Sequence, residues 1–315
     1  MFGLKISSGA PVPGMSFLPQ SERADVRIEF SPLATEEFRG LTGSMRYRSP
    51  SLSEGEAPNL IVDELLGGDF FRMRYLDGSE FVVDRAGTRI FASWSTTSSA
   101  EDAAVYLLGP VSGLLLYLRG VTCLHASAIE VDGRAALFVG GAEAGKSTTA
   151  ATFAKMGIRV LTDDIAAIMK QESGFIVMPG ASRVLLWPPS VQALWGDADA
   201  LPRLVANWEK CYFDLTDGGL YRDRAAKIAA IYVLEDRSDR TNVGIAPLVE
   251  GAALQRLLAN TYVTRIFEPE QRRRDFLAFS EIARQVPMRS VYRPDDRNRL
   301  GHLCDAVLGD LGSLV

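Results

Sequence analysis

The sequence predicts an α/β protein, with a mixed core over residues 99–315 behind a small β-rich domain over 1–98. Three observations carry that expectation. Before residue 95, polar and apolar residues alternate in several short runs, the period of a half-buried strand. A short apolar run at 135–139 leads into Gly140-Gly141-Ala142-Glu143-Ala144-Gly145-Lys146-Ser147, which fits G-x-x-x-x-G-K-[ST], and a helical stretch follows. Strand-like and helix-like segments then continue to the C-terminus. At 315 residues, 47% hydrophobic and 23% charged, the chain is long and apolar enough for two domains.

In the first domain, residues 25–30 (Asp-Val-Arg-Ile-Glu-Phe) alternate cleanly. Residues 70–75 and 80–83 do the same on either side of Leu76-Asp77-Gly78-Ser79, and Asp-Gly between alternating runs signals a hairpin. A further strand, 89–94, follows Gly87. Residues 48–58, rich in Ser, Pro, Gly and Glu, read as an exposed loop, and 95–99 (Ser-Thr-Thr-Ser-Ser) as the connector between domains. Residues 106–118 are nearly uncharged but hold Gly109, Pro110 and Gly113, and fall short of the roughly 20 residues a membrane span needs. We read them as a buried helix, opened by Glu101 and Asp102 and ending near Arg119-Gly120, and expect no membrane span.

In the core, residues 124–131 read as one strand and Asp132-Gly133 as a two-residue hairpin turn. Val131 then pairs with Arg134, and the same register carried back sets His125 opposite Gly140. Residues 147–156 form the helix after the loop, with Gly157 as its C-terminal cap. Residues 157–162 are a parallel strand which a right-handed crossover sets beside 135–139. That puts Asp163 and Asp164 at the carboxyl edge of the sheet, where open α/β sheets bind ligands. Further strands are expected at 211–215, 228–234 and 290–292, and helices at 254–262, 276–286 and 298–308.

The glycine-rich loop is a phosphate-binding pattern with a job for each part. Its glycines let backbone N–H groups approach phosphate oxygens, and the helix it opens adds a positive end. Gly140, Gly141, Ala142, Glu143, Ala144, Gly145, Lys146, Ser147 and the adjoining Thr148 are therefore the candidate nucleotide contacts. Lys146 would neutralise the β- and γ-phosphates, and the Ser147 hydroxyl would ligate Mg²⁺. The Glu143 side chain is expected to point to solvent, since the loop contributes backbone there. Successive strand residues face opposite ways, so Asp163 and Asp164 need not share a role: one can hold the metal, the other can accept a proton from an attacking hydroxyl. The alternative is that the pair caps a helix over 165–169. Arg183 and Trp187, around Leu185-Leu186-Trp187-Pro188-Pro189, are weaker candidates for an acceptor groove, against a buried turn. Lys210 is a candidate phosphate contact, against a merely solvated lysine. The implied cofactors are ATP or GTP, with Mg²⁺.

A formal net charge of −5 argues against nucleic-acid binding, which needs a basic face. The one tight basic run, Arg272-Arg273-Arg274, lies among Glu268, Glu270 and Asp275 and reads as a solvated helix face. Cys123, Cys211 and Cys304 are scattered, with neither metal-ligand nor disulfide spacing, as free thiols in a reducing cytoplasm would be. The first 15 residues lack the pattern of a secretory signal, so a cytoplasmic location is expected.

On these residues, 124–164 resembles the catalytic domain of HPr kinase/phosphorylase: a His on the strand before the loop, the loop itself, and an Asp-Asp pair after it. The resemblance is nearer still to that family's shorter kinase-like relatives, including those encoded beside lasso-peptide biosynthesis enzymes. It rests on Tyr106-Leu107-Leu108-Gly109-Pro110, Leu124-His125-Ala126-Ser127-Ala128, Gly145-Lys146-Ser147-Thr148-Thr149-Ala150, Leu186-Trp187-Pro188 and the opening Phe2-Gly3-Leu4. It implies an HPr kinase-like P-loop core, with Asp164 as catalytic base, His125 its partner, Lys146 on the phosphates, and Asp163 with Ser147 on the metal side. The Arg-containing signature that the family carries after its central strands is not found here, which leaves open the phosphorylase reaction and HPr as target. The expected activity is transfer of a γ-phosphoryl group to a Ser/Thr-type hydroxyl of a peptide or protein, such as a ribosomal peptide precursor. A small-molecule kinase and a nucleotide-switched binding module are the alternatives, and a homo-oligomer is compatible with the family.

Overall fold

The computed structural model describes residues 1–15, 23–50, 57–205, 208–238, 241–262, 269–296 and 299–314. Most of the loop expected over 48–58 therefore lies outside the described residues, as does Asn298, the expected start of the last helix. The chain divides into two compact units, one built from Gly3–Val121 and the other from Thr122–Tyr262 with Pro269–Val315.

The first unit is a seven-stranded sheet. Its strands are β1 (Ile6–Ser8), β2 (Val26–Phe30), β3 (Ser44–Arg48), β4 (Leu60–Leu65), β5 (Phe70–Tyr75), β6 (Glu80–Asp84) and β7 (Arg89–Ser93), in the order β1-β2-β7-β6-β5-β4-β3. The expected hairpin is β5–β6: Gly78 takes φ 85° in its turn, and the Ser79 N–H donates to the Asp77 carboxylate. Two helices follow, α1 (Ala100–Tyr106) and α2 (Ser112–Leu118), joined through a wide turn at Leu107–Val111 that holds Pro110. Ser99 and Asp102 cap α1 reciprocally.

Two expectations change here. The helical stretch is 19 residues long, so on length and composition alone it could cross a membrane. What it does instead is bury 67% of its most apolar window inside the protein. Leu107, Val111, Leu114 and Leu115 share one core cluster with Val26, Ile28, Phe81 and Ile90. That shared core is also why the compact units divide after Val121 rather than at the polar connector 95–99.

The second unit is a mixed α/β sheet covered on both faces. Its strands are β8 (Thr122–His125), β9 (Ser127–Val131), β10 (Arg134–Val139), β11 (Arg159–Thr162), β12 (Ile165–Gln171), β13 (Gly174–Val177), β16 (Ala226–Leu234), β17 (Gly244–Pro247) and β18 (Met288–Tyr292); β14 (Arg183–Leu186) and β15 (Cys211–Asp214) form a separate ribbon. The main order is β11-β9-β10-β16-β13-β12-β8, with β18 parallel to the end of β16 and β17 antiparallel to β18. Alternate residues of β10 enter different cores. Ala136 and Phe138 pack with α3 (Lys146–Lys155), α4 (Pro188–Trp195) and α7 (Leu300–Ser313). Ala135, Leu137 and Val139 pack with α5 (Glu250–Ala259) and α6 (Pro269–Gln285). A sheet buried on both faces explains why β10 and β16 read as almost continuous apolar runs. Arg272, Arg273 and Arg274 lie on the exposed side of α6, as the charge pattern indicated.

The β9–β10 hairpin has the expected register, from Val131 opposite Arg134 to Ser127 opposite Phe138, with Asp132 and Gly133 both at positive φ. Three expectations differ. The run 124–131 is two strands, because the chain leaves the β9 ladder at Ala126 and β8 pairs with β12 instead. β11 lies beside β9, not β10, since the hairpin already occupies that edge of β10. Both β10 and β11 run antiparallel to β9, so their carboxyl ends still share a side. Residues 165–171 are strand β12 rather than a helix, so Asp163 and Asp164 cap nothing helical.

Candidate active site

The glycine-rich loop joins β10 to α3 as the sequence implied. Gly140 admits no side chain: a Cβ there would lie 2.8 Å from the Leu234 carbonyl oxygen and 2.9 Å from the Ala144 side chain. Gly145 stands at φ 85° and opens α3, with Arg293 packed against it. No side chain caps α3, so its first N–H groups are left for a ligand or water. Gly145, Lys146, Ser147 and Thr148 line a cavity of about 430 Å³, together with His125, Glu143, Asp164, Trp187, Lys210 and Arg237. Gly141, Ala142 and Glu143 are exposed, Glu143 at φ 59°, and Ala144 is buried beneath them. Lys146 is only 7% exposed, and its ammonium donates to the Gly140 and Gly141 carbonyls at 2.9 and 3.0 Å. Burial holds its pKa below the ordinary lysine value, partly offset by the charges of Asp164 and Asp163.

The acid pair is split by backbone geometry. The Ile165 N–H donates to the Asp163 carbonyl at 2.9 Å, closing a three-residue turn around Asp164 at φ 70°. A non-glycine residue in that conformation is uncommon and strained, and such strain gathers at functional sites. The turn sends the two carboxylates into different surroundings. Asp163 is buried, accepting from the Ser127 hydroxyl at 2.6 Å and the Leu185 N–H at 3.1 Å, with the Ser147 hydroxyl also in hydrogen-bond reach. Burial, with the charge of Asp164, raises its carboxyl above the usual carboxylate range despite those bonds. Asp164 lines the cavity with a side chain 40% exposed. Partial burial pushes its carboxyl up, but His125, the Tyr262 hydroxyl and the charge of Lys210 outweigh it and hold the group below the usual range.

His125 reaches the site by a different route from the one its register implied. Its Nδ1 lies 3.1 Å from Asp164 Oδ1 and 3.1 Å from the Asp164 backbone oxygen. Both partners only accept, so Nδ1 carries the proton. The ring is held beside Asp164 because β8 pairs with β12, setting His125 opposite Ile165, next in sequence to Asp164. Asn260, at the end of α5, stitches this strand to the loop: its backbone oxygen accepts from the His125 N–H at 2.7 Å, and its Oδ1 accepts from the Gly140 N–H at 3.0 Å. Tyr262 donates its hydroxyl to Asp164 Oδ2 at 3.0 Å.

The weaker candidates separate. Trp187 and Lys210 line the cavity, whereas Arg183 does not. Arg183 starts β14 opposite Asp214, and burial lowers its pKa to about 10. Sequence reasoning missed Ser127, Asn260, Tyr262, Arg237 and Arg293. Arg293 is buried, donates to the Ala144 carbonyl and packs against Gly145, so it braces the loop from behind. Burial and the nearby charge of Arg237 lower its pKa to about 10. The three cysteines are free and buried. Among the described residues, no cluster of three or more His, Cys, Asp or Glu could hold a metal alone.

No protein-family model matches this chain, and no curated protein sequence does. Among solved structures, it is similar to the HPr(Ser) kinase/phosphatase from Coxiella burnetii, at 11% sequence identity and a TM-score of 0.34, over 61% of this chain and 97% of that one.

Proposed function

We propose that the second unit is a phosphotransferase that binds a nucleoside triphosphate with Mg²⁺ through residues 140–148 and transfers the γ-phosphoryl group to a hydroxyl. The observation that carries this reading is the lining of one cavity by Lys146, Ser147, Asp164 and His125. The uncapped start of α3 and Lys146 bind the polyphosphate, with Lys146 leaving the loop carbonyls that now occupy its ammonium. Asp163 and Ser147, whose side chains lie in hydrogen-bond reach of one another, would supply two oxygens to a magnesium ion. Held there, such an ion would neutralise phosphate charge.

Asp164 accepts the proton of the acceptor hydroxyl while the hydroxyl oxygen bonds to the γ-phosphorus and the bond from that phosphorus to the bridging β,γ-oxygen breaks, releasing the nucleoside diphosphate. His125 and Tyr262 keep Asp164 ionised and aimed into the cavity. A low carboxyl pKa makes a weak base, which suffices for a loose transition state in which little charge builds on the attacking oxygen. Trp187 lines the cavity while 45% exposed, and Pro188 and Pro189 continue that wall. A site reaching the surface along an exposed aromatic favours a peptide or protein hydroxyl over a small molecule enclosed in a pocket.

The test uses γ-labelled ATP, Mg²⁺ and a library of Ser- and Thr-containing peptides. Wild type should label a subset of peptides. Asp164→Asn should lower that transfer by about a thousandfold while nucleotide affinity stays within about threefold. Steady phosphate release to water with no peptide labelled would instead identify a nucleotide-driven switch.

A further inference from the structure

The cavity lining also includes a lysine resting on two indoles. In the β14–β15 ribbon Leu186 pairs with Cys211, and one step further the same register sets Trp187 opposite Lys210. The Lys210 ammonium stands 5.1 Å from the centre of the Trp187 ring and 5.9 Å from that of Trp208. Both rings are surface groups, 45% and 41% exposed. Both rings meet the same lysine ammonium. The ribbon is tied to the acid pair through the Leu185 N–H, which donates to Asp163 at 3.1 Å, so the root of Lys210 is fixed relative to the site.

Lys210 also lines the cavity with Lys146, Ser147 and Asp164. These side chains bound one space. That space is where the preceding reading sets the γ-phosphoryl group.

We infer that Lys210 is a second phosphate-binding cation, parked on Trp187 and Trp208 when the site is free, and that it moves to the γ-phosphoryl group when a triphosphate binds. The inference rests on the phosphotransferase reading above. Cation–ring attraction at exposed indoles is weak, and a charge-assisted bond to a phosphate oxygen in a partly enclosed cavity is stronger, so the triphosphate draws the ammonium off its rest. Lys146 reaches the site from the start of α3, whereas Lys210 reaches it from the β14–β15 ribbon. Two cations reaching the transferring group from separate elements match the spread of charge over its equatorial oxygens.

The experiment compares Mg²⁺ complexes of ADP and of a non-hydrolysable ATP analogue, on wild type, Lys210→Met and Lys210→Arg, by calorimetry and indole fluorescence. Lys210→Met should weaken the triphosphate analogue about tenfold or more and the diphosphate less than twofold, as expected for one lost charge-assisted bond to the γ-phosphate. Wild-type fluorescence should change with the analogue but not with ADP, and Lys210→Met should lose that change. Lys210→Arg should recover most of the affinity. Equal weakening of both nucleotides, or none, would overturn the role of Lys210 and leave the phosphotransferase reading standing. A wild type that binds neither nucleotide would remove both.

Discussion

At the scale of single residues, the site is defined by two neighbouring carboxylates with opposite electrostatics. Asp164 is stabilised as an anion, so its contribution to folding is present above the unfolded carboxylate pKa and is lost as pH falls through its lower folded value. Asp163 behaves in the reverse sense. Its folded pKa is raised, so it favours folding while protonated, and that contribution is lost as pH rises through the folded value. A divalent cation needs the ionised form, so binding of the Mg²⁺–nucleotide complex should release a proton and weaken as pH falls through the raised pKa of Asp163. Calorimetry in buffers of different ionisation enthalpy, repeated from the ordinary carboxylate range upward in pH, reads both effects. Proton release that persists unchanged in Asp163→Asn would assign the linkage to another group.

At the scale of elements, the site is assembled by strand pairings and one side-chain staple. β8 leaves the β9 ladder to pair with β12, and this switch sets His125 beside Asp164. Asn260 fastens that arrangement to the loop, with its Oδ1 on the Gly140 N–H and its Nδ2 on the Arg256 carbonyl. Asn260→Ala leaves the buried Gly140 N–H without its partner, and should cost about 1–3 kcal/mol by chemical denaturation. Its nucleotide affinity should fall several-fold as the loop loosens. Loss of stability with unchanged affinity would mean that the loop keeps its shape through Arg293 alone.

At the scale of the whole chain, each compact unit has its own core. Leu114 is fully buried in the first unit, among residues that make no part of the cavity. Leu114→Ala should cost about 3 kcal/mol by denaturation, from lost burial plus the cavity left behind. Nucleotide affinity of the folded protein should stay within about twofold, because none of its contacts are touched. A large change in affinity would show the first unit to be part of the nucleotide site.

Local signals determined much of this molecule from sequence. The loop from Gly140 to Ser147, its flanking strand and helix, the Asp132-Gly133 and Asp77-Gly78 turns and the alternating strands are each written within a few consecutive residues, and short-range sterics and periodicity suffice to read them. His125 was legible as a neighbour of the loop, but for a pairing the chain does not make. The turn that parts Asp163 from Asp164, the pairing of β11 with β9, and the arrival of Asn260, Tyr262, Arg237 and Arg293 were decided only in three dimensions. Those residues meet the loop from far along the chain, each as a single side chain without a motif, and only the packing of helices on both faces of one sheet brings them to its carboxyl edge.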